Sequence, residues 1–226
     1  MLQNERESYW ALLGLGAPYD SSDVEAVKAL LSEKGSSPFV IAADGGCDLI
    51  ASLNLCPDVV IGDMDSISDG KMENLRKRDI PFIIHPKEKD KTDSQLAFEF
   101  AKNLGYDEMV LMGALGGRLD HTIANISMIG AYLLESEVDE VRLIGGGHEI
   151  IILRSQATVS GKSGETVSLI PLTPTAEGVT ITGFHYPLDN AVLKWSETLG
   201  VSNYLEKEIA TIRIRSGILL AIRRYC

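Results

Sequence analysis

Met109-Val110-Leu111-Met112-Gly113-Ala114-Leu115-Gly116-Gly117-Arg118-Leu119-Asp120-His121 opens a passage that continues without a break to Glu135. Its first four residues read as a buried strand, its glycines as a turn, and Asp120 to Glu135 as a long apolar helix. The same order recurs upstream. Tyr9 to Leu15 is an apolar run ending in Gly16-Ala17-Pro18, and Ser22 to Glu33 has helical spacing. Phe39 to Ala43 is a strand running into Asp44, and Val59 to Ile61 a strand running into Asp63. Ser68 to Arg78 reads as helix and Pro81 to Ile84 as strand. Thr92 to Leu104 reads as helix, with Thr92 as its N-cap and Leu96, Phe100 and Leu104 on one face. Alternating strands and helices imply a parallel sheet with crossover helices, an α/β domain whose ligands bind at the carboxyl ends of the strands.

From about Glu149 the texture changes. Ile150–Leu153, Ala157–Val159, Thr166–Ile170, Gly178–Ile181, Ile209–Ile214 and Ile218–Ile222 are short runs rich in Ile, Val and Thr, separated by turns such as Ser216-Gly217. Strands without helices at this spacing indicate an all-β sandwich or jelly roll. Gly145-Gly146-Gly147 serves as the hinge, giving an α/β domain over 1–147 and a β domain over 148–226.

The 226 residues are 45% hydrophobic and 23% charged, ample for a folded core. The net charge of -11 argues against a nucleic-acid binder, which needs a basic face for phosphates. Met1 to Glu7 is polar and lacks the pattern of a secretory signal, and no apolar stretch approaches the ~20 residues of a membrane span. Cys47, Cys56 and Cys226 are odd in number and form no Cys-x-x-Cys pair, which fits a reducing cytoplasm.

The chemistry gathers in four segments, each placed at a strand-to-helix loop: Ala43-Asp44-Gly45-Gly46, Gly62-Asp63-Met64-Asp65-Ser66, Lys89-Asp90-Lys91-Thr92-Asp93 and Gly116-Gly117-Arg118-Leu119-Asp120-His121. A single aspartate in a turn is most often a helix cap. Four at the same end of successive strands repel one another unless a cation, commonly Mg²⁺ with phosphate oxygens, lies among them. Asp63 and Asp65, two apart, can reach one hard cation. Gly45 and Gly46 let backbone N–H groups approach an anion. Lys89, Lys91 and Arg118 supply the positive charge that a transferring phosphoryl group requires. Asn125 follows Asp120 and His121 by about one helical turn. Competing signatures fail: Gln156 stands where a P-loop ending in Gly161-Lys162-Ser163 needs glycine, and Gly14 and Gly16 lack the third glycine of a dinucleotide fingerprint.

These segments, with Gly113-Ala114-Leu115 ahead of the last and Asn125-Ile126 after it, resemble those of the thiamine pyrophosphokinases. The likeness continues through Tyr186-Pro187-Leu188, Lys194-Trp195, Ser202-Asn203 and Ser216-Gly217-Ile218-Leu219, from about residue 10 to the C-terminus. Two places depart from the family pattern: Tyr204 stands where an acidic residue is common, and Ser94-Gln95 is unusual after Thr92-Asp93.

The resemblance implies a Rossmann-like parallel-sheet catalytic domain followed by a β-sandwich. It implies transfer of pyrophosphate from ATP to the thiamine hydroxyl with release of AMP, in a homodimer whose active site is shared between chains. The residues carried over are Asp44, Asp63, Asp65 and Asp93 for Mg²⁺, with Asp65, Asp93, Arg118 and Asp120 catalytic. Asp44, Gly45, Gly46, Lys89, Lys91, Thr92, His121 and Asn125 would hold ATP, and Trp195, Ser202, Asn203 and Ser216 thiamine. Two other readings compete: a diphosphokinase acting on another small alcohol such as a pterin, and a metal-dependent ligand-binding module without turnover.

Overall fold

The computed structural model of the chain describes residues 10–225; Met1 to Tyr9 and Cys226, including the polar N-terminal stretch and the first residue of the first apolar run, lie outside the described residues. Two compact units are present. One comprises the chain through Thr122 together with Ile144–Gly146, and the other Ile123–Leu143 together with the chain from Gly147.

In the first unit, strand and helix alternate as β1 (Trp10–Gly14), α1 (Ser21–Lys34), β2 (Phe39–Ala43), α2 (Gly46–Ser52), β3 (Val59–Gly62), α3 (Asp69–Lys77), β4 (Phe82–Ile84), α4 (Asp93–Asn103) and β5 (Glu108–Met112). The strands are parallel and ordered β5-β1-β2-β3-β4. Trp10 to Leu13, Val40 to Ala43 and Met109 to Met112 are all buried, the continuous apolar reading of strands covered on both faces. The order reverses at β1, so the chain leaves β1 and β5 at the reversal where open α/β sheets bind ligands.

Thr92 caps α4 as expected, its hydroxyl accepting from Gln95 N at 3.2 Å. The buried face of that helix differs from expectation. Ala97, Phe98 and Ala101 are buried, while Leu96, Phe100 and Leu104 are only partly so. Ala97 and Ala101 allow the helix backbone to close on the sheet with Phe98 buried beside them, which leaves Leu96, Phe100 and Leu104 at the flanks. Helix α2 is too short for sequence periodicity to define.

Helix α5 (Leu119–Glu135) begins in the first unit and continues in the second, and β6 (Glu140–Gly145) is likewise divided between them. Gly146 and Gly147, both at positive φ, make the turn into β7 (His148–Leu153). The rest is β: β8 (Gln156–Ser160), β9 (Thr166–Pro171), β10 (Thr175–Thr182), β11 (Leu188–Lys194), β12 (Asn203–Tyr204), β13 (Ile209–Arg213) and β14 (Leu219–Arg224). They form two antiparallel rows, β12-β9-β14-β7 and β11-β10-β13-β8. Inward residues of both rows, among them Ile151, Leu169, Val179, Leu193, Ile212 and Leu219, make one core, as a sandwich requires. The edge strands β11 and β12 carry too little apolar alternation to read from sequence.

Among the described residues of this unit, the buried charge of Glu149 is paired. Glu149, 4% exposed, accepts from Arg142 Nη1 and from Arg223 Nε, both at 2.9 Å. Arg142 also reaches Glu140 at 2.7 Å, and Arg223 reaches Glu165 at 2.7 Å. Loss of either arginine would leave a buried carboxylate short of partners, the costly outcome for a buried ion pair.

Candidate functional site

Asp44 follows β2 and Asp63 follows β3, while Asp93 is the first residue of α4. One carboxylate oxygen from each lies within 4.8 Å of the others. Local backbone is bent to achieve this. Asp44 (φ 43°) and Met64 (φ 66°) both occupy the left-handed region that non-glycine residues rarely adopt, and such strain is characteristic of functional sites. Gly62 supplies the space: a Cβ there would stand 3.1 Å from Asp44 Cβ and 3.2 Å from Asp93 Oδ1. A methyl group at residue 62 would therefore press on the Asp44 side chain and the Asp93 carboxylate.

Lys89 reaches into the group. Its Nζ lies 3.0 Å from Asp93 Oδ1 and 3.5 Å from Asp63 Oδ2. Burial opposes its charge, but the two carboxylates outweigh burial and hold its pKa above the ordinary lysine value. Asp93 Oδ1 is buried, and apart from this ion pair with Lys89 it has no hydrogen-bond partner among the described residues. Three hard oxygen donors, one incompletely satisfied, around a space kept clear by glycine fit a divalent cation of the Mg²⁺ or Ca²⁺ type.

Asp65 does not join this group. Its carboxylate accepts from Lys87 Nζ at 2.5 Å, and the bond lowers the pKa of Asp65 while raising that of Lys87. Met64 in the left-handed conformation turns the chain between Asp63 and Asp65, and Asp63 Oδ1 accepts from Asp65 N at 3.2 Å. Lys87 did not stand out in the sequence, since it precedes the Lys-Asp-Lys-Thr-Asp segment.

The other expected residues fall into three settings. Gly46 is buried, and a Cβ on it would come within 1.9 Å of Gly14 O, so its missing side chain lets α2 approach the end of β1. Gly45 caps α2 by backbone alone. Lys91 is held by Glu99 at 2.7 Å, outside the acid group. Arg118 and Asp120 form an exposed fork, Nε to Oδ1 at 3.1 Å and Nη2 to Oδ2 at 2.5 Å, which lowers the pKa of Asp120. His121 is exposed, and Asn125 is buried within α5.

In the β unit, Trp195 is 65% exposed, which removes a core role for it. Lys194 pairs with Thr175 and Ser216 bridges Glu177, so Trp195 and Ser216 flank the start of β10 from its two edges. Ser202 is exposed at positive φ (62°), its N–H donating to Ser168 Oγ at 3.1 Å. Asn203 is buried and committed to the backbone. Its Oδ1 accepts from Tyr186 N at 3.0 Å and Tyr204 N at 2.9 Å, and its Nδ2 donates to Tyr186 O at 2.8 Å. Its place is the base of the 186–203 loop. Tyr204 stacks on His185 with centroids 4.4 Å apart, and Tyr186 meets His185 edge-on at 4.6 Å, an aromatic cluster that sequence spacing did not suggest.

Comparison with known proteins agrees over most of the chain. Residues 30–139 match the family model described as thiamin pyrophosphokinase, catalytic domain, and residues 148–219 match thiamin pyrophosphokinase, vitamin B1 binding domain. The chain is 29% identical to thiamine pyrophosphokinase of Bacillus subtilis (strain 168) over 185 residues, 81% of this chain and 86% of that one. It is 31% identical to thiamine pyrophosphokinase 1 of Oryza sativa subsp. japonica over 173 residues, 71% of this chain and 62% of that one. The crystal structure of the Bacillus subtilis thiamine pyrophosphokinase is similar with a TM-score of 0.78 at 25% identity, covering 96% of this chain and 99% of that one. That of the Geobacillus thermodenitrificans thiamin pyrophosphokinase gives 0.76 at 26% identity, covering 96% and 98%.

Proposed function

Because the chain belongs to the thiamine pyrophosphokinase family, we infer that it transfers the pyrophosphate of ATP to the hydroxyl of thiamine, giving thiamine diphosphate and AMP. The observation that carries this reading at the level of chemistry is the convergence of Asp44, Asp63 and Asp93 at strand ends beside the reversal at β1.

In the reaction, the hydroxyl oxygen of thiamine bonds to the β-phosphorus of ATP. The bond from that phosphorus to the oxygen bridging the α- and β-phosphates breaks, AMP leaves with that oxygen, and the hydroxyl proton passes to solvent. The enzyme's task is alignment and charge stabilisation. We assign Mg²⁺ to Asp44, Asp63 and Asp93, where it would neutralise the triphosphate. Lys89, already among these acids, is positioned to meet phosphate oxygens once a cation takes its place. Arg118, on the glycine turn after β5, offers a planar fork to phosphate in exchange for Asp120. Asp65 and Lys87 form a second charged pair at the rim, which we place near the transferring group.

We assign thiamine to the β unit. The exposed indole of Trp195 suits the face of a cationic ring, with the hydroxyls of Ser202 and Ser216 as polar anchors. We propose a homodimer in which the β unit of one chain completes the acid site of its partner, and a functional division of each chain near Gly147. Free thiols at Cys47 and Cys56 fit a reducing cytoplasm, and among the described residues no helix is long and apolar enough to cross a membrane.

The deciding experiment is a coupled assay for AMP with ATP and Mg²⁺, run with and without thiamine. AMP formed only with thiamine, in equal amount to thiamine diphosphate, is the expected result. AMP formed equally without thiamine overturns the reading.

A further inference from the structure

Asp23 lies in the first turn of α1 and is not one of the three gathered acids, yet its residue surface is fully buried. Its Oδ2 accepts from two backbone N–H groups. One is Asp20 N at 3.2 Å, the reciprocal arm of a capping box in which Asp20 Oδ1 accepts from Asp23 N at 3.2 Å. The other is Gly146 N at 3.1 Å, 123 residues away in sequence. A helix cap needs only the first and is ordinarily exposed. Burying a carboxylate to reach Gly146 costs desolvation that a cap alone does not require.

Gly146 leads to the glycine turn that carries Arg118. A Cβ on Gly146 would be 3.6 Å from Gly116 Cα, and one on Gly117 would be 2.9 Å from Pro18 Cδ. The loop between β1 and α1 is bonded to the same turn, with Ala17 N donating to Gly113 O at 3.1 Å. Three backbone segments of the first unit, 15–20, 113–118 and 145–146, thus meet around α1's first turn, and one carboxylate joins the first to the third with the second packed between them.

We propose that Asp23 is a positioning residue that fixes the Gly116-Gly117 turn, and through it Arg118, for the triphosphate. This rests on the assignment of ATP to the site above. It acts on ATP through the turn, without touching it.

Three variants test it. Asp23→Ala removes both bonds. Asp23→Glu keeps the capping box, for which glutamate is the common residue, but its added methylene displaces the carboxylate from Gly146. Asp20→Ala breaks the cap and leaves the Gly146 contact. The readouts are the KM for ATP and for thiamine, Tm, and amide hydrogen exchange at 116–118. Asp23→Ala and Asp23→Glu are expected to raise the KM for ATP about tenfold, leave that for thiamine within twofold, and speed exchange at Gly116 and Gly117. Asp20→Ala should lower Tm with an unchanged KM for ATP. Should Asp23→Ala fail to fold, Asp23→Glu decides alone. Unchanged ATP KM and unchanged exchange in Asp23→Glu, or equal losses for both substrates, overturn the proposal. A wild-type protein that forms no thiamine-dependent AMP would instead refute the function, and exchange at Gly116 and Gly117 would still report whether Asp23 holds the turn.

Discussion

Lys89 Nζ and Asp93 Oδ1 lie 3.0 Å apart at the start of α4, so an ammonium stands where a cation would bridge the acids. The protein thereby carries its own counter-charge. Pairing raises the lysine pKa, so its stabilising effect is complete below the ordinary value of 10.5 and is lost only as pH climbs through the raised one. At neutral pH the pair counts in full. Lys89→Gln should therefore lower Tm more in EDTA than in excess Mg²⁺, because metal can replace the missing charge. An equal fall in both conditions would show that Lys89 does not neutralise the three acids.

The separation of Asp65 from the acid triad gives the aspartates distinct signatures. Asp63→Asn and Asp93→Asn should raise the Mg²⁺ concentration needed for half-maximal activity. Asp65→Asn should reduce turnover on the order of 10²-fold, as for loss of a strong electrostatic stabiliser, with the Mg²⁺ requirement unchanged. Magnesium titrations of the three variants check this, and a shifted requirement in Asp65→Asn would place it among the ligands.

Arg118→Lys keeps the charge and loses the fork. A bidentate phosphate contact would then weaken, raising the KM for ATP several-fold. If the Arg118–Asp120 pair is only a surface ion pair, worth about 0–1 kcal/mol, ATP affinity and turnover would both stay at wild-type values.

Trp195 is exposed, so its removal should leave the fold intact. Stacking on a cationic ring is worth ~0.5–2 kcal/mol, so Trp195→Ala should raise the KM for thiamine about tenfold, leaving ATP binding and Tm unaltered. Mixing Asp65→Asn chains with Trp195→Ala chains should restore part of the activity if the site is shared. No rescue in heterodimers shown to have formed would assign a complete site to each chain.

Burial pushes the Cys47 thiol up to about 11, and Cys47 is 5% exposed. At pH 8 it should resist iodoacetamide in the native protein while the half-buried Cys56 reacts, as peptide mass mapping would show. Labelling of Cys47 at a rate equal to that of Cys56 would mean that α2 opens readily.

The strands of the α/β unit were legible because burial on both faces writes itself as unbroken apolar runs, as in Phe39–Ala43 and Met109–Met112. Asp44, Asp63 and Asp93 were legible as loop residues, since each follows such a run or opens a helix. Their gathering at one end of the sheet around a cation was legible too, but not which of the four acids close within 4.8 Å of one another. Asp65, two residues on from Asp63, pairs instead with Lys87, which the sequence did not mark. Asp23 carried a local signal, the Asp20-x-x-Asp23 capping box, but its partner Gly146 is visible only in three dimensions. Asn203 shows the opposite limit: the sequence marks it out, and only the structure reveals that its side chain is committed to backbone groups.

That commitment has a consequence for the segment it closes. With the Asn203 carboxamide standing in for a peptide group opposite Tyr186, the excursion from 187 to 202 is closed at its base by one side chain. The return of that excursion is anchored as well, since Gly200 O accepts from Leu169 N at 2.9 Å and a Cβ on Gly200 would stand 3.0 Å from Leu169 O. Trp195 and Ser202 therefore stand on a stretch of chain pinned at two points, so a molecule that meets them meets a surface already in place.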